Sequence, residues 1–225
     1  MKKGFTLSEV LITLGIIGVV ATFTIPTLIS NHRKQVAENK LKKFYSTINQ
    51  AVILSENING DKKYWDTIPR GYEQDENGEP DINKSKPRAW YDKYLGPYLK
   101  TVKVEDSGLS DGQVLAYFED GSLAMISRSS ITFFLEAKEF KPISKSDIDR
   151  KYAGIRHFGF QFFPNESVYP QHYNKGVEPY IPKYWDNTTE SLLSDCNKDS
   201  HYKTTCTKLI QINGWKIPKD YPLKF

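Results

Sequence analysis

The chain has 225 residues, of which 26% are charged and 13% aromatic, and its mean hydropathy is −0.55. This length suits one membrane helix followed by one soluble domain of about 165 residues, which is large enough to bury a core. The formal net charge of +4 falls to +2 (4 minus 2) without Lys2 and Lys3, and so small an excess gives no independent support for nucleic-acid binding.

The first 29 residues are the most apolar part of the sequence. Lys2 and Lys3 precede an apolar run that extends to Ile29 and contains one formal charge, Glu9. Residues 10–29 are twenty residues without a charge. A helix of this length can cross a hydrocarbon layer of roughly 30 Å. A carboxylate at the start of such a helix is costly in lipid, and it usually has a partner and a function. We therefore interpret the segment as a membrane helix in which Glu9 has a specific role.

Two simpler interpretations of this segment explain less of it. A secretory signal peptide has an apolar core of about 7–15 residues and a small-residue cleavage site. The present run is longer, is interrupted by Glu9 at its start and has no convincing A-x-A site behind it. A plain membrane anchor explains the length and leaves both Glu9 and the Gly4–Phe5 pair without a role.

The segment resembles the N-terminus of type IV pilins and of type II secretion pseudopilins. The resemblance rests on a short basic leader ending in Gly4, on the string Phe5-Thr6-Leu7-Ser8-Glu9, and on Gly18 and Pro26 in the apolar run. It implies that a prepilin peptidase cuts between Gly4 and Phe5 and methylates the new amino group of Phe5. It also implies that Glu9 pairs with the amino terminus of a neighbouring subunit during assembly.

The roles implied for Glu9, Gly18 and Pro26 have a physical basis. An unpaired carboxylate in a low-dielectric setting is strongly penalised, and an opposite charge fits it best. Gly18 and Pro26 fall where family members have helix-weakening residues, and Pro26 removes an amide donor and clashes with the preceding turn. The helix is therefore expected to stretch locally in a fibre, although both residue types are also common in membrane helices generally.

Beyond Pro26 the sequence becomes amphipathic. An apolar stripe recurs with the helix period: Ala37, Leu41, Phe44, Ile48 and Ala51. The opposite side, expected to be solvated, carries charged residues: Arg33, Lys34, Glu38, Lys40, Lys42 and Lys43. Asn57–Gly60 is the expected stop. One helix from Phe5 to Asn57 would span about 80 Å, with its second half packed on a globular domain.

The middle of the chain is predicted to contain one short helix and several strands. Residues 61–86 have no clear period and are predicted to form a loop or an irregular insertion. Trp90, Tyr94 and Tyr98 have helical spacing typical of core packing. Four strands are predicted, the first two joined by an Asp120-Gly121 turn: 113–118, 122–126, 131–135 and 155–163. Antiparallel strands packed on the amphipathic helix give an α+β fold.

The C-terminal part is predicted to contain a surface loop and a disulfide. Residues 165–189 are rich in tyrosine, proline and asparagine, which indicates an ordered surface loop. In an exported protein the close pair Cys196 and Cys206 favours a disulfide. A zinc site that adds His201 is the alternative, but the histidines have no metal spacing. A short helix is predicted over 205–212.

The sequence contains no G-x-S-x-G, P-loop or H-E-x-x-H motif. We therefore expect no enzyme activity and no cofactor. Acidic loops around Asp106, Asp111 and Asp120 are possible calcium ligands, as in some pseudopilins, but their spacing matches no recognised calcium loop. His157, alone in a predicted strand, is interpreted as a satisfied structural histidine.

The predicted organisation has four segments: a leader at 1–4, a transmembrane assembly helix at 5–29, an amphipathic helix at 30–57 and a globular domain at 58–225. The resemblance implies a single-pass inner-membrane protein with a periplasmic domain, which enters a periplasmic or extracellular filament. Its expected partners are other pilin-like subunits, the prepilin peptidase and the inner-membrane assembly platform, with no nucleic acid.

Two functions fit this organisation best, and a membrane-anchored enzyme is a third and weaker alternative. The first is a structural subunit of a type IV pilus-like filament or of a type II secretion pseudopilus. The second is a membrane-anchored or fibre-displayed adhesin that binds through residues 165–189. The sequence leaves the kind of filament open.

Overall fold

The computed structural model describes residues 4, 6–143, 148–165, 170–197, 199 and 203–225. A long helix, α1 (Leu7–Asn59), packs its second half on a six-stranded antiparallel sheet. This confirms the predicted α+β fold, in which a long N-terminal helix lies on a small antiparallel sheet. The other α-helices of the described residues are α2 (Lys86–Tyr94), α3 (Thr189–Asp195) and α4 (Cys206–Ile212).

Two antiparallel sheets are present in the described residues. Strands β1 (Tyr72–Gln74) and β2 (Pro80–Ser85) form a separate hairpin. The larger sheet has its strands in chain order: β3 (Lys103–Asp106), β4 (Val114–Tyr117), β5 (Leu123–Ser127), β6 (Ser130–Phe134), β7 (His157–Gln161) and β8 (Glu178–Pro179). Each strand therefore pairs with its sequence neighbour, which needs no crossover connection.

Helix α1 has 53 residues and is about 80 Å long at 1.5 Å per residue. It begins and ends two residues later than predicted, and it continues through Pro26. It ends at Gly60, whose φ of 73° suits glycine because it has no Cβ. The predicted apolar stripe is buried from Ala37 to Ala51, so the second half of α1 supplies one wall of the core.

The prediction of a loop or irregular insertion over 61–86 was wrong for residues 72–85. This stretch contains the β1–β2 hairpin, whose turn holds Asn77 and Gly78, with a φ of 83° at Gly78. The Asp75 carboxylate accepts hydrogen bonds from the Asn77 and Glu79 amides at 2.8 and 3.0 Å. The hairpin was missed because its strands are polar and mostly exposed, so they lack the alternating apolar pattern that indicates a half-buried strand.

The four predicted strands are present, and the sheet has two more. Strand β3 is a polar edge strand, and β8 is a two-residue edge strand ending in Pro179. Both lie where a sheet tolerates polar residues and proline. Apolar patterning therefore could not reveal them.

Strand β7 is buried on both faces. All five of its residues are buried, because Phe160 faces Phe44 of α1 while the opposite face is covered from the C-terminal part of the chain. A Cβ on Gly159 would come within 2.9 Å of Thr204. Strand β7 is thus the centre of the domain rather than a half-exposed strand.

The core is aromatic. Phe44 of α1 stacks on Phe133, with 4.2 Å between ring centroids, and meets Phe118 and Phe160 edge-on. Trp90 and Tyr94 of α2 are buried and Tyr98 is half-buried. The prediction that this aromatic helix is part of the core is therefore confirmed for Trp90 and Tyr94.

Residues 165–189 are only partly a surface loop. Val177 and Ile181 are fully buried, whereas Tyr173 and Tyr184 are exposed. Tyr169 lies outside the described residues. The predicted surface loop therefore also covers the core, because these two aliphatic side chains close it beside β8.

The predicted disulfide between Cys196 and Cys206 is present, with an S–S distance of 2.06 Å. It joins the end of α3 to the start of α4 and is fully buried. The helix predicted over 205–212 is confirmed as α4. His201 lies outside the described residues, and cysteines joined in a disulfide leave no thiolate to bind zinc.

Candidate functional site: the N-terminal helix and its junction with the domain

Thr6 and Glu9 form a capping box at the start of α1. The Thr6 amide and hydroxyl donate hydrogen bonds to Glu9 Oε2 at 2.8 and 2.9 Å, and the Glu9 amide donates to the Thr6 hydroxyl at 3.3 Å. Such a reciprocal pair satisfies amides that a helix start leaves open. Glu9 therefore stabilises its own helix, a role that was not predicted although the Thr-x-x-Glu spacing is visible in the sequence.

The Glu9 carboxylate remains open to a second partner. Both hydrogen bonds from Thr6 end on Oε2, and no described residue donates to Oε1. The side chain is exposed. Capping and pairing with an external cation are therefore compatible at this carboxylate.

The predicted cleavage site lies at the edge of the described chain. Gly4 is exposed, and a Cβ built on it meets nothing within 4 Å. Phe5, the residue predicted to be methylated, lies outside the described residues. The N-cap of α1 is Thr6. The predicted scissile bond, between Gly4 and Phe5, therefore lies just before the helix.

The first half of α1 exposes an almost continuous apolar surface. By length and composition it can cross a membrane, and none of its apolar stretch is buried in the protein. Leu7, Phe23 and Leu28 are at least 70% exposed. A surface this large and apolar requires lipid or other helices around it.

Gly18 and Pro26 do not interrupt α1. The Gly18 carbonyl accepts a hydrogen bond from the Thr22 hydroxyl at 2.7 Å. A Cβ on Gly18 would meet nothing within 4 Å, so packing inside one subunit does not require glycine there. The predicted local stretching of the helix in a fibre stays a prediction.

The junction between the two halves of α1 is fixed to the C-terminal segment through Glu38. Its carboxylate accepts hydrogen bonds from the Lys216 ammonium at 2.7 Å and from the Ile217 amide at 2.9 Å. Glu38 is 8% exposed. The prediction that Glu38 belongs to a solvated face was wrong, because the C-terminal segment covers that side of the helix.

Lys40 also departs from the predicted solvated face. Its ammonium donates to the carbonyls of Asp120 and Leu135 at 2.9 and 2.7 Å. The neighbouring Lys43 pairs with the Asp120 carboxylate at 3.1 Å. These contacts fasten α1 to the β4–β5 turn and to the end of β6, so the helix and the sheet should move as one body.

The acidic residues considered as calcium ligands are engaged elsewhere or dispersed. Asp120 binds Lys43, and Asp111 lies 3.4 Å from Arg128. Burial raises the pKa of Asp106. Within the described residues, no group of three or more His, Cys, Asp or Glu side chains is placed to hold a metal ion.

His157 lies in the core, as a structural histidine would. It is 3% exposed, and burial lowers its pKa to about 4. Its Nε2 atom has no hydrogen-bond partner among the described residues, so the expectation of a fully satisfied side chain was wrong. A neutral ring that lies against Phe134, with 5.1 Å between centroids and 38° between the ring planes, accounts for its position.

Two protein-family models match the chain, one on each side of a point within α1. A family model described as the prokaryotic N-terminal methylation motif matches residues 1–25, and this confirms the resemblance to type IV pilins and pseudopilins. A second model, described as "Family of unknown function (DUF6613)", matches residues 27–225. The chain belongs to that family. No curated protein and no solved structure matches the chain.

This member of the DUF6613 family is therefore a pilin-like precursor. Its N-terminal motif marks it for processing by prepilin peptidase, for membrane anchoring and for later assembly with other pilin subunits into a filament. The two matches meet around Pro26, in the interior of one helix. The methylation motif thus covers the exposed apolar half, and the family-specific part begins where α1 approaches the domain.

Proposed function

We propose that the protein is a structural subunit of a type IV pilus-like filament or of a type II secretion pseudopilus, and not an enzyme. The observation that carries this proposal is the continuity of α1. Its apolar half is exposed, and its other half is fastened to the sheet by Lys40 and to the C-terminal segment by Glu38. One rigid rod thus links an assembly surface to a displayed domain.

In the proposed precursor, residues 1–4 are the leader, 5–29 the membrane helix and 58–225 the globular domain, which lies in the periplasm. The peptidase cuts between Gly4 and Phe5 and methylates Phe5. The free Oε1 of Glu9 then receives the amino terminus of a neighbouring subunit. Gly18 and Pro26 let the helix extend as subunits pack, since a Cβ on Gly18 would meet nothing within 4 Å and Pro26 is exposed in the single subunit.

Pairing through Glu9 fits the energetics of a membrane helix. A carboxylate and an ammonium each lose their hydration when they enter an apolar setting. Such a pair therefore fixes how neighbouring subunits align more than it adds to net stability. The capping bonds to Thr6 keep the carboxylate in place before the partner arrives. Glu9 thereby presents a preset acceptor at the head of the helix.

The test separates processing, capping and pairing. Co-expression with a prepilin peptidase should remove four residues and methylate Phe5, as measured by intact mass, and an unprocessed product would contradict the proposal. Glu9→Gln keeps an acceptor for the Thr6 amide, because glutamine also serves in capping boxes, but it lacks the charge. We expect this variant to be cleaved normally and to enter filaments poorly.

Two controls support that test. Thr6→Val removes the capping hydroxyl and leaves the Glu9 charge, so it should reduce filament incorporation less than Glu9→Gln does. Glu9→Ala should fail at least as strongly as Glu9→Gln. If the Glu9→Gln variant entered filaments as well as the parent chain does, the pairing role would be refuted, but the proposed processing would not.

The second candidate function is an adhesin or other binding subunit. It is supported by Tyr184, which is 86% exposed and lies under the Lys183 ammonium at 5.5 Å from the ring centroid. Removal of residues 165–189 would not test it, because Val177 and Ile181 belong to the core. Tyr184→Ser together with Tyr173→Ser should abolish adhesion without changing filament assembly, and unchanged adhesion would exclude this surface.

A further inference from the structure

A basic cavity lies at the end of the domain from which the membrane helix emerges. It has a volume of about 380 Å³ and is lined from α1 by His32, Arg33 and Val36. The other walls come from the turn after β6, the start of β7 and the C-terminal segment, which contribute Lys138, Arg156 and Lys224. The cavity therefore joins residues that are far apart in sequence at one height on the helix.

The height of the cavity above the membrane is set by α1. The twenty uncharged residues 10–29 span about 30 Å, the thickness of the hydrocarbon core. Arg33 lies four residues beyond Ile29, about 6 Å further along the same unbroken helix. The headgroup layer extends about 5–8 Å beyond the hydrocarbon on each side, so Arg33 and the cavity lie at headgroup depth.

The charges in the cavity are not balanced. Glu139 pairs with Arg156 at 2.8 Å, and Glu136 pairs with Lys138 at 2.5 Å. Arg33 and Lys224 are exposed, and neither makes an ion pair with a described residue. Among the side chains that line the cavity, four cations against two carboxylates leave an excess of two positive charges.

The cavity also has an apolar side. Val36, Leu135 and Ile155 line it and are only partly buried. A phospholipid headgroup matches both sides of the cavity. Its phosphate carries a negative charge for the basic side chains, and its glycerol region is less polar and suits the apolar side. Guanidinium and ammonium groups are the side chains that bind phosphate oxygens best.

We propose that this cavity binds the headgroup of an anionic phospholipid and so seats the base of the domain on the bilayer before assembly. The inference rests on the membrane anchoring of the proposed function and adds a lipid site to it. Arg33 and Lys224 contact the phosphate, while the Glu136–Lys138 and Glu139–Arg156 pairs hold the cavity walls. Extraction into a filament then breaks this contact.

The experiment uses the full chain in nanodiscs of phosphatidylcholine with increasing fractions of phosphatidylglycerol. The readouts are amide hydrogen exchange of residues 135–139 and 152–156, and the lipids that remain bound in native mass spectrometry. We expect protection to rise with phosphatidylglycerol and that lipid to be retained selectively. Each basic residue near an anionic surface strengthens binding about fivefold, so Arg33→Gln with Lys224→Gln should weaken retention about twenty-fivefold.

The matched control is Lys42→Gln with Lys100→Gln, which removes two exposed charges elsewhere. Lys42 lies on the same helix, about 13 Å beyond Arg33. We expect this control to retain phosphatidylglycerol like the parent chain, and near-ultraviolet circular dichroism should show both double variants to be folded. Equal losses in the two double variants, or protection that does not depend on phosphatidylglycerol, would overturn the proposal.

Insertion is scored separately, by co-elution of the chain with nanodiscs of phosphatidylcholine alone. A chain that does not insert contradicts the proposed membrane anchoring and the lipid site together. A chain that inserts, yet responds to neither lipid nor substitution, refutes the lipid site alone.

Discussion

The Glu38 carboxylate accepts a hydrogen bond from the Ile217 amide at 2.9 Å across 179 residues of sequence. This contact lies where α1 enters the globular domain, one residue after the first buried position of the apolar stripe. It makes the C-terminal segment part of the helix junction. A force applied along α1 would therefore be shared between the sheet and the end of the chain.

Glu38→Ala should destabilise the domain by about 1–3 kcal/mol, because the Ile217 amide would lose its acceptor in a partly buried place. Lys216→Gln is the control. The Lys216 side chain is 67% exposed, so the loss of this ion pair should cost less than about 1 kcal/mol. Urea denaturation of the detergent-solubilised chain measures both. Equal effects of the two substitutions would show that the amide contact contributes nothing.

Patterns within short stretches of the sequence predicted α1, the β4–β5 hairpin and the disulfide. The helix period from Ala37 to Ala51 and the stop near Gly60 placed α1 to within two residues. The Asp120-Gly121 turn placed the β4–β5 hairpin, since Gly121 adopts a φ of 77°. The short spacing between Cys196 and Cys206 was enough to predict the disulfide that joins them.

Features set by distant partners could not be predicted in this way. Glu38 and Lys40 have the sequence context of a solvated helix face, and their partners lie far along the chain. The basic cavity likewise combines Arg33 with Lys224, which no spacing rule connects. Glu9 was identified through the N-terminal motif, whereas its bond to Thr6 was overlooked although the signal was local.

Phe44→Ala should be among the most destabilising single substitutions in α1. The ring is 4% exposed and touches three other aromatic rings, so its removal leaves a cavity that should cost about 3–5 kcal/mol. Ile58→Ala, at a position that is 77% exposed, should change stability by less than about 0.5 kcal/mol. Chemical denaturation measures both, and similar values would contradict the packing described for Phe44.

Loss of the Cys196–Cys206 disulfide should destabilise the domain by about 3 kcal/mol, the value that the chain-entropy model gives for a loop of this size. The double substitution to alanine and reduction with dithiothreitol should produce the same shift in the denaturation midpoint. The reductant should have no effect on the double variant. A midpoint unchanged by either treatment would mean that the α3–α4 contact alone fixes this region.

Stability should fall between about pH 6.5 and pH 4 because of the buried His157. Burial lowers its folded-state pKa to about 4, below the unfolded value of about 6.5, so the unfolded chain binds the proton more readily. The contribution is fully present above about pH 6.5 and is lost as the pH falls, by about 3 kcal/mol in total. His172, whose pKa burial also lowers to about 4, should add a similar decline. Urea denaturation from pH 7.5 to pH 4 measures the sum.

The matched variants assign that decline to one side chain. His157→Phe keeps an aromatic ring beside Phe134 and removes the titrating group, whose Nε2 has no hydrogen bond to lose among the described residues. The variant should therefore show a shallower fall in stability between pH 6.5 and pH 4. His32→Gln, at an exposed position of α1, should follow the parent curve. If His157→Phe retains the full pH dependence, the decline comes from other groups and His157 is not held neutral by the core.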